Sequence, residues 1–278
     1  MKQRIITSIV ACCVLIPVLI FSNTVVLPIG IAICAALAVY EMLSCIGLKQ
    51  SIAVSLPFYL CAVAFPFLVR YSKKCLNLHD IVIACISVGI LYLFAVVVFS
   101  HGKYTVSQVG TCLLGMLYIL IGFSAILYVH DYEIGGSYIY LTIFLGAWMT
   151  DIFAYFCGML FGRGGKHKLI PDVSPKKTVE GSIGGIVFCV LSMVAFGLII
   201  DAVTDYSANL LVFAIAGLAV SVVSQVGDLS MSVIKRTYGI KDYGKIFPGH
   251  GGILDRFDSI LAVSIAMMVF TRFFDLLR

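Results

Sequence analysis

Asp228, Asp255 and Asp258 lie in the C-terminal quarter of a chain with only 14 acidic residues among 278. Asp255 and Asp258 are three positions apart, so on a helix both carboxylates project to one side. They follow "PGHGG", Pro248 to Gly252. Carboxylate oxygens clustered at a helix start suit Mg²⁺, which keeps several waters and takes a few carboxylates together with phosphate oxygens. The competing explanation is helix capping by acids in a first turn. The neighbouring glycines weigh against it, because Gly251 and Gly252 let backbone approach a ligand and aim amides at phosphate. His250, flanked by glycines, adds a further phosphate donor.

Asp228 belongs to "SQVGDLSMSVIKR", where Gln225, Asp228, Ser232 and Lys235 or Arg236 recur at helical spacing. One face of this apolar helix is therefore polar, either as a reaction site or as a hydrogen-bonded seam between helices. A second polar segment, "GRGGKHKLIPDVSPKKTVEGS", runs from 162 to 182. Ser174, Lys176, Lys177 and Thr178 offer cationic and hydroxyl donors to phosphate, and Glu180 leads into the next helix. Its other explanation is a basic loop that orients the chain or meets anionic headgroups. Upstream, "WMTDIFAYFCGMLFG" sets Asp151, Tyr155, Gly158 and Gly162 on one helical stripe. The two glycines read as a close-packing pair, while Asp151 reads as part of the polar centre. Glu41 is left open between a snorkelling carboxylate and a functional one. No GxxxxGK[ST], HExxH or GxSxG pattern occurs. The chemistry that remains is phosphoryl or nucleotidyl transfer by metal and cations, in which protein groups supply position and charge.

The elements that must hold these groups are membrane helices. Hydrophobic residues make up 61% of the chain and charged residues 12%, with a mean hydropathy of +1.08. That composition excludes a soluble globular domain and points to an all-α polytopic membrane helical bundle of about nine transmembrane helices. The predicted spans are about 5 to 22, 25 to 47, 52 to 70, 80 to 100, 109 to 129, 138 to 161, 182 to 203, 208 to 234 and 258 to 277. The first two, separated by Ser22 to Thr24, could instead form a re-entrant hairpin. Residues 1–135 read as supporting helices and 136–278 as a catalytic membrane region with polar loops at 162–181 and 235–257. Most of the 19 lysines and arginines fall on one side of such a bundle. The positive-inside rule then places the N-terminus and both polar loops in the cytoplasm. The ten cysteines are scattered without metal-ligand or disulfide spacing and read as packing residues.

The stretch "SVIKRTYGIKDYGKIFPGHGGILDRFD", Ser232 to Asp258, resembles the signature of the CDP-diacylglycerol synthases, also called phosphatidate cytidylyltransferases. That signature runs S-x-x-K-R, then K-D, then H-G-G-x-x-D-R-x-D. A further Trp-Asp-Ala-Tyr-Gly helix and S-P-K-K-T-x-E-G loop are matched by Trp148, Asp151, Ala154, Tyr155 and Gly158 and by Ser174 to Gly181. The resemblance covers roughly the C-terminal half. It implies transfer of CMP from CTP to phosphatidic acid in phospholipid biosynthesis, by a homodimer with no nucleic-acid partner, while the compactness of the chain gives the expectation of a bacterial plasma (inner) membrane. It implies Mg²⁺ or another divalent cation held by Asp228, Asp255 and Asp258, with an auxiliary monovalent cation left open. Lys176, Lys177, Lys235, Arg236 and Lys241 would hold the phosphates, Lys241 within the catalytic group. Asp242, His250, Gly251, Gly252 and Arg256 fall in the same matched stretch on the substrate side, with Ser174, Thr178, Glu180, Ser232, Asp151 and Tyr155. The rivals are a CTP-dependent polyprenol or phytol kinase, a membrane transporter using Asp228 and Asp151 as relay groups, and a lipid-binding scaffold.

Overall fold

A computed structural model describes residues 13, 15–71, 78–162, 167–249 and 251–278. The helices are α1 (Val26–Ile46), α2 (Ile52–Tyr71), α3 (Leu78–Phe99), α4 (Val106–His130), α5 (Leu141–Phe161), α6 (Val179–Val203), α7 (Leu210–Thr237) and α8 (Leu254–Phe273). A single helical turn, Gly136–Ile139, precedes α5. Among the described residues seven helices are long and apolar enough to cross a membrane, in keeping with an all-α polytopic bundle. Half of the predicted span at about 5 to 22 lies outside the described residues, and 15–20 are helical. The ninth predicted span is α8, whose Asp255, Arg256, Asp258 and Arg272 set it apart in composition from those seven. It opens at Leu254 rather than about 258 and ends at Phe273 rather than 277.

The polar segment after α5 is not a plain loop. Lys168–Ile170 (β1) and Ser174–Thr178 (β2) pair antiparallel, with Ile170 opposite Ser174. Pro171 and Asp172 turn the chain between them, and Val173 N–H donates to the Ile170 carbonyl at 3.3 Å. β2 runs directly into α6 through Thr178, whose hydroxyl accepts the Gly181 N–H at 3.1 Å as an N-cap. Asn209 caps α7 in the same way, accepting from Val212 N–H.

Two compact units divide the described chain: one takes the residues up to Leu127 together with Ile240–Arg256, the other Tyr128–Gly239 and Phe257–Arg278. In the first, α1 packs on α2 and α2 on α3, and Met42 lies flat against Gly115, where a Cβ would come within 2.8 Å of its methyl. In the second, α5, α6 and α7 pack mutually. Small residues set their spacing: a Cβ on Gly185 would lie 2.9 Å from the Thr150 carbonyl, and one on Gly217 2.9 Å from Val190 Cα. Gly158 serves the same end as read from the sequence, since a Cβ there would meet Thr178 Oγ1 at 2.9 Å. The C-terminus returns to the start of α7 by paired hydrogen bonds between Ser207 and Arg278, each 2.9 Å.

Candidate active site

Among the described residues, each unit holds a polar cluster that includes residues singled out from the sequence. In the second unit, α7 turns its polar face into the helix layer, as the 3.6-residue spacing requires. Gln225 is buried and accepts the Ser182 hydroxyl of α6 at 2.5 Å, so part of this face is indeed an interhelical seam. One turn further, Asp228 Oδ2 meets Lys177 Nζ at 2.5 Å and its Oδ1 accepts the Ser232 hydroxyl at 3.5 Å. Lys177 reaches this point because β2 delivers it one residue before the Thr178 cap. Asp258 on α8 is 8% exposed and feels the charges of Asp228, Lys235 and Asp151. Lys235 is itself 8% exposed. Asp151 Oδ2 accepts the Ser259 hydroxyl at 3.3 Å, which ties α5 to α8.

The fold therefore brings together Asp151, Lys177, Asp228, Ser232, Lys235 and Asp258 from β2, α5, α7 and α8. Carboxylates crowded into one another's field repel, and cations relieve that repulsion. Two lysines supply part of the relief. Among the described residues no three His, Cys, Asp or Glu side chains form a complete ligand set for a metal ion. Mg²⁺ does not need one, since one or two carboxylates plus phosphate and water satisfy it. Asp228 and Asp258 fit that requirement.

In the first unit the cluster organises the segment before α8. Gly249 and Gly251 take φ of 80° and 88°, a left-handed backbone that side chains resist. Phe247 N–H donates to the Gly251 carbonyl at 2.9 Å across the resulting turn. Asp255 Oδ2 accepts the N–H of Tyr243 at 2.8 Å and of Gly252 at 2.9 Å. Glu41 of α1, 1% exposed, accepts the N–H of Ile253 at 3.0 Å and of Leu254 at 2.8 Å. The Gly252 amide thus serves Asp255, and those of Ile253 and Leu254 serve Glu41, where the sequence suggested that Gly251 and Gly252 aim amides at phosphate. Of the two readings of Glu41, snorkelling is excluded, because its carboxylate is buried. The sole signal in the sequence was an acidic residue inside an apolar span.

The other residues singled out from the sequence are placed as follows. Glu180 Oε1 pairs with His167 Nδ1 at 2.5 Å, holding the start of the ribbon to α6. Lys176 is exposed and Ser174 half-buried on β2; Arg236 is exposed on α7, and Tyr155 is exposed on α5 against Phe156. Lys241, Asp242 and Arg256 are exposed in the first unit, where Gly251 is half-buried. His250 lies outside the described residues.

Residues 2–274 match the model of the cytidylyltransferase family. The chain is 32% identical over 263 residues to the phosphatidate cytidylyltransferase of Staphylococcus haemolyticus (strain JCSC1435), an alignment that covers 95% of this chain and 96% of that protein. It is 34% identical over 263 residues to the enzyme of the same name from Staphylococcus saprophyticus, with the same coverage. The protein of that name from Staphylococcus aureus (strain COL) is 34% identical over 267 residues, again covering 95% and 96%. With nearly the whole sequence matched and the signature residues gathered on α5, α7, α8 and β2, the chain belongs to the cytidylyltransferase family.

Proposed function

We propose that the protein is a phosphatidate cytidylyltransferase, which transfers CMP from CTP to phosphatidate and yields CDP-diacylglycerol and pyrophosphate. The observation that carries this reading is the cluster in which Asp258 and Asp228 share one field, with Lys177 on Asp228 at 2.5 Å and Lys235 buried near Asp258. It offers phosphate groups both fixed cations and a place for a divalent ion.

Asp228 and Asp258 would hold Mg²⁺ or another divalent cation, which when bound would neutralise charge gathering on the triphosphate. Lys177 and Lys235 set positive charge at fixed points, against which phosphate oxygens are oriented for in-line attack. Lys177 Nζ is itself buried, directed into the cluster against Asp228, so a phosphate would meet it inside the cluster. A phosphatidate oxygen forms a new bond to the α-phosphorus as the bond to the departing pyrophosphate breaks. No bond to a protein side chain is required. Ser232, at 3.5 Å from Asp228 Oδ1, helps orient that carboxylate. In a multi-pass membrane protein the lipid substrate reaches the site from the bilayer. The basic ribbon and the loop before α8 would face cytoplasmic CTP in the plasma membrane, with the enzyme acting as a homodimer.

Detergent-purified protein incubated with CTP labelled in the cytosine or in the γ-phosphate, with Mg²⁺, tests the reading. Cytosine label appearing in a lipid only when phosphatidate is supplied supports it. Transfer of γ-phosphate to a polyprenol would replace it with the kinase reaction.

A further inference from the structure

Burying a carboxylate in an apolar helix is costly unless every oxygen finds a donor. Glu41 is 1% exposed near the end of α1, and both its oxygens are used. Oε1 accepts Ile253 N–H and Oε2 accepts Leu254 N–H, the last amide before α8 and the first within it. Amides at a helix start have no partner within the helix, and the dipole there favours negative charge. The side chain of α1 thus caps a helix more than two hundred residues away in sequence.

The surroundings are shaped to the carboxylate. A Cβ on Gly244 or on Gly252 would fall on Glu41 Oε1, so two separate backbone segments close upon it at glycine. Neither glycine has a positive φ, so both are set by space and not by backbone conformation. Asp255 completes the arrangement from the other side, binding the amides of Tyr243 and Gly252. The chain from Tyr243 to Asp255 is therefore pinned by two buried carboxylates, only one of which lies in the signature stretch.

We propose that Glu41 is a positioning residue for cytidylyl transfer: it fixes the glycine turn and the first turn of α8, and with them the loop before α8 that faces CTP. The kinetic part of this proposal rests on the proposed function; the structural part does not.

The test compares wild-type chain with Glu41→Gln, Glu41→Ala, Gly244→Ala and the Glu41→Ala/Gly244→Ala double variant in detergent. Amide exchange of the peptide spanning 243–256 is measured beside kcat and KM for CTP. Glu41→Gln keeps shape but turns an amide group toward backbone N–H donors. It is expected to lower kcat at least tenfold with KM changed less than threefold, and to speed exchange in that peptide while α5 to α7 keep wild-type protection. Gly244→Ala, a residue with no chemistry of its own, should reproduce the defect. Removing the carboxylate makes room for the added methyl, so Gly244→Ala should cost little more in the Glu41→Ala background. Wild-type kcat and exchange in Glu41→Gln would overturn the proposal, as would a Gly244→Ala effect that is undiminished when Glu41 is already alanine. If Glu41→Ala does not fold, Glu41→Gln and Gly244→Ala still decide. If wild-type protein transfers no cytidylyl group, exchange alone judges the clamp and the fault lies with the reaction assigned.

Discussion

Replacing Lys177 by Gln separates the chemistry of the acidic centre from its stability. The Lys177–Asp228 pair is short, 2.5 Å, but its side chains are 25% and 27% exposed. Lys177 Nζ itself is buried, so water competes chiefly for Asp228, and loss of the lysine costs between the roughly 0.2–1 kcal/mol of an exposed pair and the roughly 3–5 kcal/mol of a buried one. The thermal midpoint of Lys177→Gln should therefore fall by several degrees. Its effect on reaction is read separately, per folded enzyme. A charge-assisted hydrogen bond to a phosphate oxygen contributes about 1.5–3 kcal/mol, and each 1.4 kcal/mol is a factor of about ten. The expected loss in kcat/KM is thus roughly 10- to 100-fold. Lys177→Arg, which keeps the charge on a different geometry, should recover part of it. The assay is cytidine label in lipid at saturating phosphatidate with CTP varied, beside a thermal melt of the same preparation. A Lys177→Gln enzyme with wild-type kcat/KM, or one whose activity falls only as far as its folded fraction, refutes the role given to this lysine.

Other substitutions probe the remaining parts. Asp258→Asn should abolish measurable transfer with purification yield unchanged, and residual activity, if any, should lose its dependence on added Mg²⁺; a fully active variant counts against the divalent-ion site. Asp255→Ala strips acceptors from two buried amides, Tyr243 and Gly252, and should cost about 3 kcal/mol in a denaturation series, more than Asp255→Asn, which keeps one acceptor oxygen. Gly184→Ala drives a methyl onto Cys157 between α5 and α6 and should destabilise by about 1–3 kcal/mol; Cys157→Gly in the same chain should restore most of it, as a melt will show.

Periodicity alone made much of the second unit's cluster legible. Asp228, Ser232 and Lys235 recur at helical spacing, and an acid among apolar residues on such a face has few other uses. The long apolar windows likewise determined the membrane bundle, since backbone in lipid must satisfy itself within helices. What the linear order could not decide is which donor meets which acceptor. Lys176 and Lys177 are adjacent and chemically alike, yet the strand alternation of β2 and the Thr178 cap bring Lys177 onto Asp228 and leave Lys176 exposed. The ribbon itself is too short for a hydrophobic alternation to announce it. Glu41 and Ile253 are 212 positions apart, with no local pattern linking them. Their pairing is a property of packing: a buried carboxylate must find N–H donors, and only the assembled α1 and the start of α8 present them to one another.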